Sequence, residues 1–114
     1  MNLYNATKKQ TIGEVCMADS FVKRLIGMWG AAPGSSRDGL WLIPCSAVHT
    51  VGMFHPLDVV FLDKQRKVLS IHKSVRPFSF GPVCRGAHSA VEAYHSRWDL
   101  SKIETGDVLE AVAA

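Results

Sequence analysis

The sequence predicts a mainly-β fold, a small barrel or jelly-roll-like sandwich, with one N-terminal α-helix. Three observations carry this. Short segments rich in branched and aromatic residues recur along the chain, divided by turn-forming residues. A six-residue run, Leu57 to Leu62, is apolar apart from Asp58 and suits a central strand. A single stretch switches to helical spacing: Phe21, Val22, Leu25, Ile26, Met28 and Trp29 form one stripe.

In chain order, residues 1–8 read as a first strand or arm, with Leu3, Tyr4 and Ala6 as its apolar content. Thr11 to Met17 reads as a second strand, with Ile12 and Val15 suited to burial. Asp19 or Ser20 can cap the helix, because a side-chain oxygen there takes an orphan amide of the first turn. Gly27 weakens the helix and Gly30 ends it. AAPGSSRDG, 31–39, is a loop by composition. Strands follow at Leu40 to Ile43 and Ala47 to Phe54, and Pro56, lacking a donor, breaks the ladder before Leu57. Asp63 to Lys67 forms a charged turn into a returning strand, Val68 to Val75. Arg76 to Pro82 is an aromatic, proline-bounded loop, and Ala87 to Tyr94 is a further strand. Asp99 to Ile103 suits one helical turn, and Gly106-Asp107 leads into a last strand over 108–112.

At 114 residues the chain fits a single domain, 1–114. Its 47% apolar and 20% charged content is ordinary for a globular protein. No run of about 18 apolar residues marks a membrane span. The polar start, MNLYNATKKQ, does not read as a signal peptide, so the expected location is cytoplasmic. The net charge of +3 is modest and its lysines and arginines are scattered, which reads as solvated turn charge and not as a nucleic-acid surface.

Candidate chemistry centres on Ile43 to Asp63. Cys45 with His49, and Cys84 with His88, are two Cys-x-x-x-His units and invite a zinc reading. Extended geometry opposes it: the ends of such a unit on a strand lie roughly 13 Å apart, against about 2.0–2.3 Å from each ligand to one ion. No metal and no cofactor is therefore expected. His49, Val51 and Met53 share one face of a regular strand. His49 is either a hydrogen-bonded edge histidine or a pocket residue. Asp58 inside an apolar strand needs partners. Loop amides near Pro56, Arg24, or an acid–base role beside His49 would each provide one. Arg24 can pair Asp58 or reach an anionic ligand. Three cysteines cannot all pair. Cys45 and Cys84 each follow a proline closely and are the better couple, as a shared site or a bond, while Cys16 reads as a small buried residue. Trp41, Phe54, Phe78, Phe80 and Trp98 read as packing, although Phe78 and Phe80 can also lid a pocket.

Several motifs together carry a family resemblance. They are Arg24 with Gly27-Met28, Gly39-Leu40-Trp41-Leu42, His49-Thr50 with Met53, Pro56-Leu57-Asp58-Val59-Val60-Phe61-Leu62-Asp63, and Gly106-Asp107. With them the chain resembles the domain of unknown function 192 family, the UPF0127-type small bacterial and archaeal proteins, from about Ile12 to Val112. Cys45 to Thr50 and Pro82 to Ala87 point to one subgroup. The resemblance implies a mainly-β, barrel- or jelly-roll-like domain with a helix near its start. It implies no reaction, and some relatives carry leader peptides. Trp29, Gly30 and His55 depart from the pattern.

The leading expectation is a non-catalytic binding or accessory domain. Its pocket would use Cys45, His49, Met53, Asp58, Cys84, Arg85 and Arg24 to hold a small molecule or a protein segment. A small enzyme using Cys84 or Cys45 with His49 is the alternative, and a metal-binding domain is third. Oligomeric state is not encoded in any feature of the chain.

Overall fold

The computed structural model describes residues 1–18, 39–45, 55–76 and 81–113. Its strands are β1 (Asn2–Asn5), β2 (Gln10–Glu14), β3 (Cys16–Ala18), β4 (Gly39–Leu42), β5 (Leu57–Leu62), β6 (Val68–Val75), β7 (Ser89–Tyr94) and β8 (Leu109–Val112). They form two sheets. One is three-stranded, in the order β2-β1-β8, and the other five-stranded, in the order β3-β4-β7-β5-β6.

Two expectations are corrected here. Among the described residues the two sheets are open, with β2, β8, β3 and β6 as their edges, so the described strands do not close into a barrel. Nor is there an α-helix among the described residues, where the helical content is a single 3-10 turn over Leu100–Lys102. The stripe from Phe21 to Trp29, on which the N-terminal helix was expected, lies outside the described residues, as does the expected strand from Ala47 to Phe54. The physical lesson concerns edges. Strand count and spacing predict β architecture but carry no record of which edges pair, and closure is a property of pairing.

The expected strand from Thr11 to Met17 is two strands. Val15, 2% exposed, is the pivot: its amide donates to the Met1 carbonyl at 2.9 Å, and the chain passes from one sheet to the other. β3 then lies parallel to β4, pairing Met17 with Trp41. Met17 turns inward and packs against the core, which leaves its neighbour Cys16 exposed, contrary to the expected burial.

β5 is buried along its whole length because both of its faces are packed. Val60 and Leu62 point toward the three-stranded sheet, into a cluster with Leu3, Val15, Trp41, Val91, Trp98 and Leu109. Leu57, Val59 and Phe61 point the other way and cluster with Leu40, Leu42 and Ala90. Period-two alternation places these sets on opposite faces. Gly39 is required by close approach. A Cβ there would overlap the Trp98 ring and sit 2.6 Å from the Glu92 carbonyl oxygen. Among the described residues no helix is long and apolar enough to cross a membrane.

Candidate functional site

β5 and β7 run antiparallel, with Leu57 opposite Tyr94 and Leu62 opposite Ser89. The five-stranded sheet therefore has two ends, and the candidate residues divide between them.

At the Leu62 end, β4 runs on through Ile43 and Pro44 to Cys45. The Cys45 amide donates to the His88 carbonyl at 2.9 Å, and the His88 amide donates to the Leu62 carbonyl at 2.8 Å. His88 thus ties the exit of β5 to Cys45 through its backbone. Four residues before it, Cys84 opens a turn closed by Ala87 N–H to the Cys84 carbonyl at 3.2 Å. Gly86, at φ +82°, holds the third position, where a type II turn requires a left-handed residue. Cys45, Cys84 and Ala87 are half-buried and pack against the Leu40–Phe61 cluster. Arg85 is exposed, and Val83 is 70% exposed. The Cys84 thiol faces the Arg85 carbonyl at 3.7 Å, a weak contact. Neither cysteine is disulfide-bonded among the described residues.

At the Leu57 end lies Asp58, 2% exposed. One carboxylate oxygen accepts the Ser74 amide at 2.8 Å and lies 2.8 Å from His95 Nδ1. The other accepts the Ser96 amide at 3.3 Å. Both serines are left-handed, at φ 53° and 71°. The register of β6 against β5 shifts here, from Leu57↔Val75 to Val59↔His72, so Lys73 and Ser74 face Asp58 alone. A bulge of this kind frees an amide from the ladder, and the Asp58 carboxylate receives it. Along the strand, Asp58 is separated from Leu62 by roughly 13 Å. It therefore sits far from the backbone that carries Cys45 and Cys84. His49, Met53 and Arg24 lie outside the described residues.

Glu92 is a polar residue that sequence reasoning passed over. It lies on β7 between Leu40 of β4 and Val59 of β5, and is 3% exposed. A carboxylate in that position is costly to bury without partners. The signal was available, because Ala90, Glu92 and Tyr94 share one parity and the first and last pack on the apolar face. Burial, helped by the negative charge of Glu92, raises the Tyr94 hydroxyl above its ordinary pKa. His55 stacks edge-on against Tyr94 with ring centres 5.8 Å apart. Nearby, His72 meets Phe61 edge-on and lies 3.1 Å from the Ser70 hydroxyl. No three His, Cys, Asp or Glu side chains converge as metal ligands among the described residues.

A small two-sheet β domain with polar groups set into its packed faces is the class that fold and site define. The model of the DUF192 family, described as an uncharacterized ACR, matches residues 3–111, and the chain belongs to that family. A UPF0127 protein of Thermococcus sibiricus is 31% identical over 95% of this chain and 73% of its own length. A UPF0127 protein of Pyrococcus furiosus is 29% identical over 95% and 96%. Among solved structures, a protein of unknown function from Novosphingobium aromaticivorans aligns with TM-score 0.73 at 16% identity, covering 96% of this chain and 82% of that one. A proposed transcription regulator from Sinorhizobium meliloti aligns with TM-score 0.75 at 19% identity, covering 96% and 89%. At these identities the two structures speak for the fold alone.

Proposed function

We propose that this chain is a non-catalytic binding domain whose site is the rim around Cys45, Cys84 and Arg85. The observation that carries this reading is the turn from Cys84 to Ala87. It turns Cys84 toward the same apolar cluster as Cys45 and leaves Val83 and Arg85 in solvent. An apolar contact flanked by a guanidinium fits a small molecule or protein segment with an apolar body and an anionic group. The expected site also includes His49, Met53 and Arg24, which lie outside the described residues. Asp58 belongs to it as a brace at the far end of the sheet. Native mass spectrometry of the protein as purified tests it. A retained non-metal ligand that is lost from Arg85→Ala is the expected result, and a ligand retained equally by that variant overturns the assignment.

The enzyme reading has one requirement that separates it. A catalytic thiol at Cys45 or Cys84 must alkylate well below the pH at which free cysteine does, because the thiolate is the reacting form. Iodoacetamide labelling across pH, resolved by peptide, reads this directly.

A further inference from the structure

Between the two sheets, on the face of β4 away from Cys45 and Cys84, lies a cleft of about 310 Å³. It is lined by Met17, Trp41, Ile43 and Ala111 as its apolar walls, and by Arg66 and Glu110. Trp41 is 1% exposed, and its indole N–H is buried with no acceptor among the described residues. An indole donor in that state is a cost that proteins ordinarily avoid. Arg66 sits at φ 63°, held between its own amide, which donates to the Asp63 carbonyl at 3.0 Å, and its carbonyl, which accepts from Leu109 at 3.0 Å. Glu110 follows Leu109 directly, so the two charged residues belong to neighbouring segments of the cleft wall. No ion pair joins them among the described residues, and neither has another polar partner.

We propose that this cleft binds a small zwitterion with an apolar body, of the chemical class of the aliphatic and aromatic α-amino acids. Arg66 takes the carboxylate, for which its planar fork is suited. Glu110 takes the ammonium group. Met17, Ile43, Ala111 and the Trp41 ring hold the apolar part. The volume stands at the lower bound of ordinary ligand pockets, which limits the occupant to a small molecule. Arg66 and Glu110 line the same small cleft, which gives it one group of each sign for the two charges of an α-amino acid. This site is independent of the Cys45–Cys84 rim, because it lies on the opposite face of the sheet.

The test is nuclear magnetic resonance of the full chain, following the Trp41 indole N–H signal, assigned by its loss in Trp41→Phe. L-leucine and L-phenylalanine are titrated to about 10 mM, which detects dissociation constants into the millimolar range. The expected result is a saturable shift with at least one of them. Leucinamide, which lacks the carboxylate, and N-acetylleucine, which lacks the ammonium, are expected to bind about tenfold more weakly or not at all, as the loss of a charge-assisted contact requires. Arg66→Gln is expected to weaken the amino acid by a similar factor while leaving leucinamide unchanged. An indole signal that ignores both amino acids overturns the proposal. So does binding of either analogue as tight as that of leucine, a comparison that uses the wild-type protein and needs no variant to fold.

Discussion

The Asp58 carboxylate lies 2.8 Å from His95 Nδ1, and the two side chains differ sharply in exposure, 3% for Asp58 against 43% for His95. The same oxygen takes the Ser74 amide, and its partner oxygen takes the amide of Ser96. One buried group thus holds a bulge in β6 and the turn after β7 against the start of β5. Left-handed conformations are costly for non-glycine residues. Asp58 supports two of them at once.

Asp58→Ala is therefore expected to destabilise the protein by about 1–3 kcal/mol, because it removes the acceptor of two part-buried amides and the brace of two left-handed residues. His95→Ala should cost less than about 1 kcal/mol, because that partner is half in solvent. Urea denaturation of both variants checks the order. Equal losses would mean that the imidazole, and not the two amides, is the partner that matters.

Gly39→Ala adds only one methyl group, but it adds it against the Trp98 ring and the Glu92 carbonyl. Neither is the free end of a flexible side chain. Overpacking of a tight core typically costs about 1–3 kcal/mol, and a loss in that range is expected for this variant by chemical denaturation. A neutral result would show that Trp98 can shift and that the β4–Trp98 contact is loose.

Leu57, Val59 and Phe61 are each at most 1% exposed, so truncation to Ala should cost about 2–5 kcal/mol. Reading residues 1–8 as a strand or arm suggests that substitutions there are mild by comparison. The structure removes that contrast. Leu3 is 0% exposed within the same core as Val60 and Leu62, so Leu3→Ala belongs in the same range. A denaturation series over the four variants, in which Leu3→Ala falls below about 1 kcal/mol, would show that the three-stranded sheet contributes little to the cooperative core.

The two strands flanking Asp63 to Lys67 were legible because composition and spacing agree there. The apolar run ends at a charged turn, and Asp63 Oδ1 accepts the Gln65 and Lys67 amides at 2.8 and 3.0 Å. The short helical turn after Asp99 was legible for a similar reason, since Asp99 caps it by accepting the Ser101 amide. The sheet change at Val15 was not legible. The break is made where a backbone bond joins Val15 to Met1, and its one trace in the sequence is that Ile12 and Val15 fall on opposite parities. Of the candidate residues, Cys45 reaches one end of the sheet through its bond to the His88 carbonyl, and Cys84 through the turn closed by the Ala87 amide. Asp58 goes to the other end because antiparallel pairing with β7 sets its level, which sequence proximity to Cys45 conceals. Glu92 was overlooked because a charge in a strand is ordinarily read as solvent-facing.

The last prediction concerns acid. Asn5 and Asp107 are buried, at 0% and 6% exposure, and Asn5 Nδ2 donates to the Asp107 carboxylate and to the Lys102 carbonyl, both at 2.8 Å. The Glu104 amide adds a third contact at 2.9 Å, and the Lys8 ammonium lies 3.7 Å away. Burial by itself pushes the Asp107 carboxyl up, but the Asn5, Glu104 and Lys8 contacts outweigh it and hold the pKa below the ordinary value of 3.8. A depressed native pKa means that the unfolded chain binds the proton first as pH falls. The stabilisation is complete above the unfolded value and is lost as pH drops through the native one. Urea midpoints of the wild type should therefore fall below about pH 4, the ordinary range for an aspartate. Asp107→Asn, which has no such proton to gain, should show a shallower decline there, starting from a lower midpoint at pH 7. Parallel declines in the two proteins would place the acid sensitivity on other carboxylates and remove Asp107 from this role.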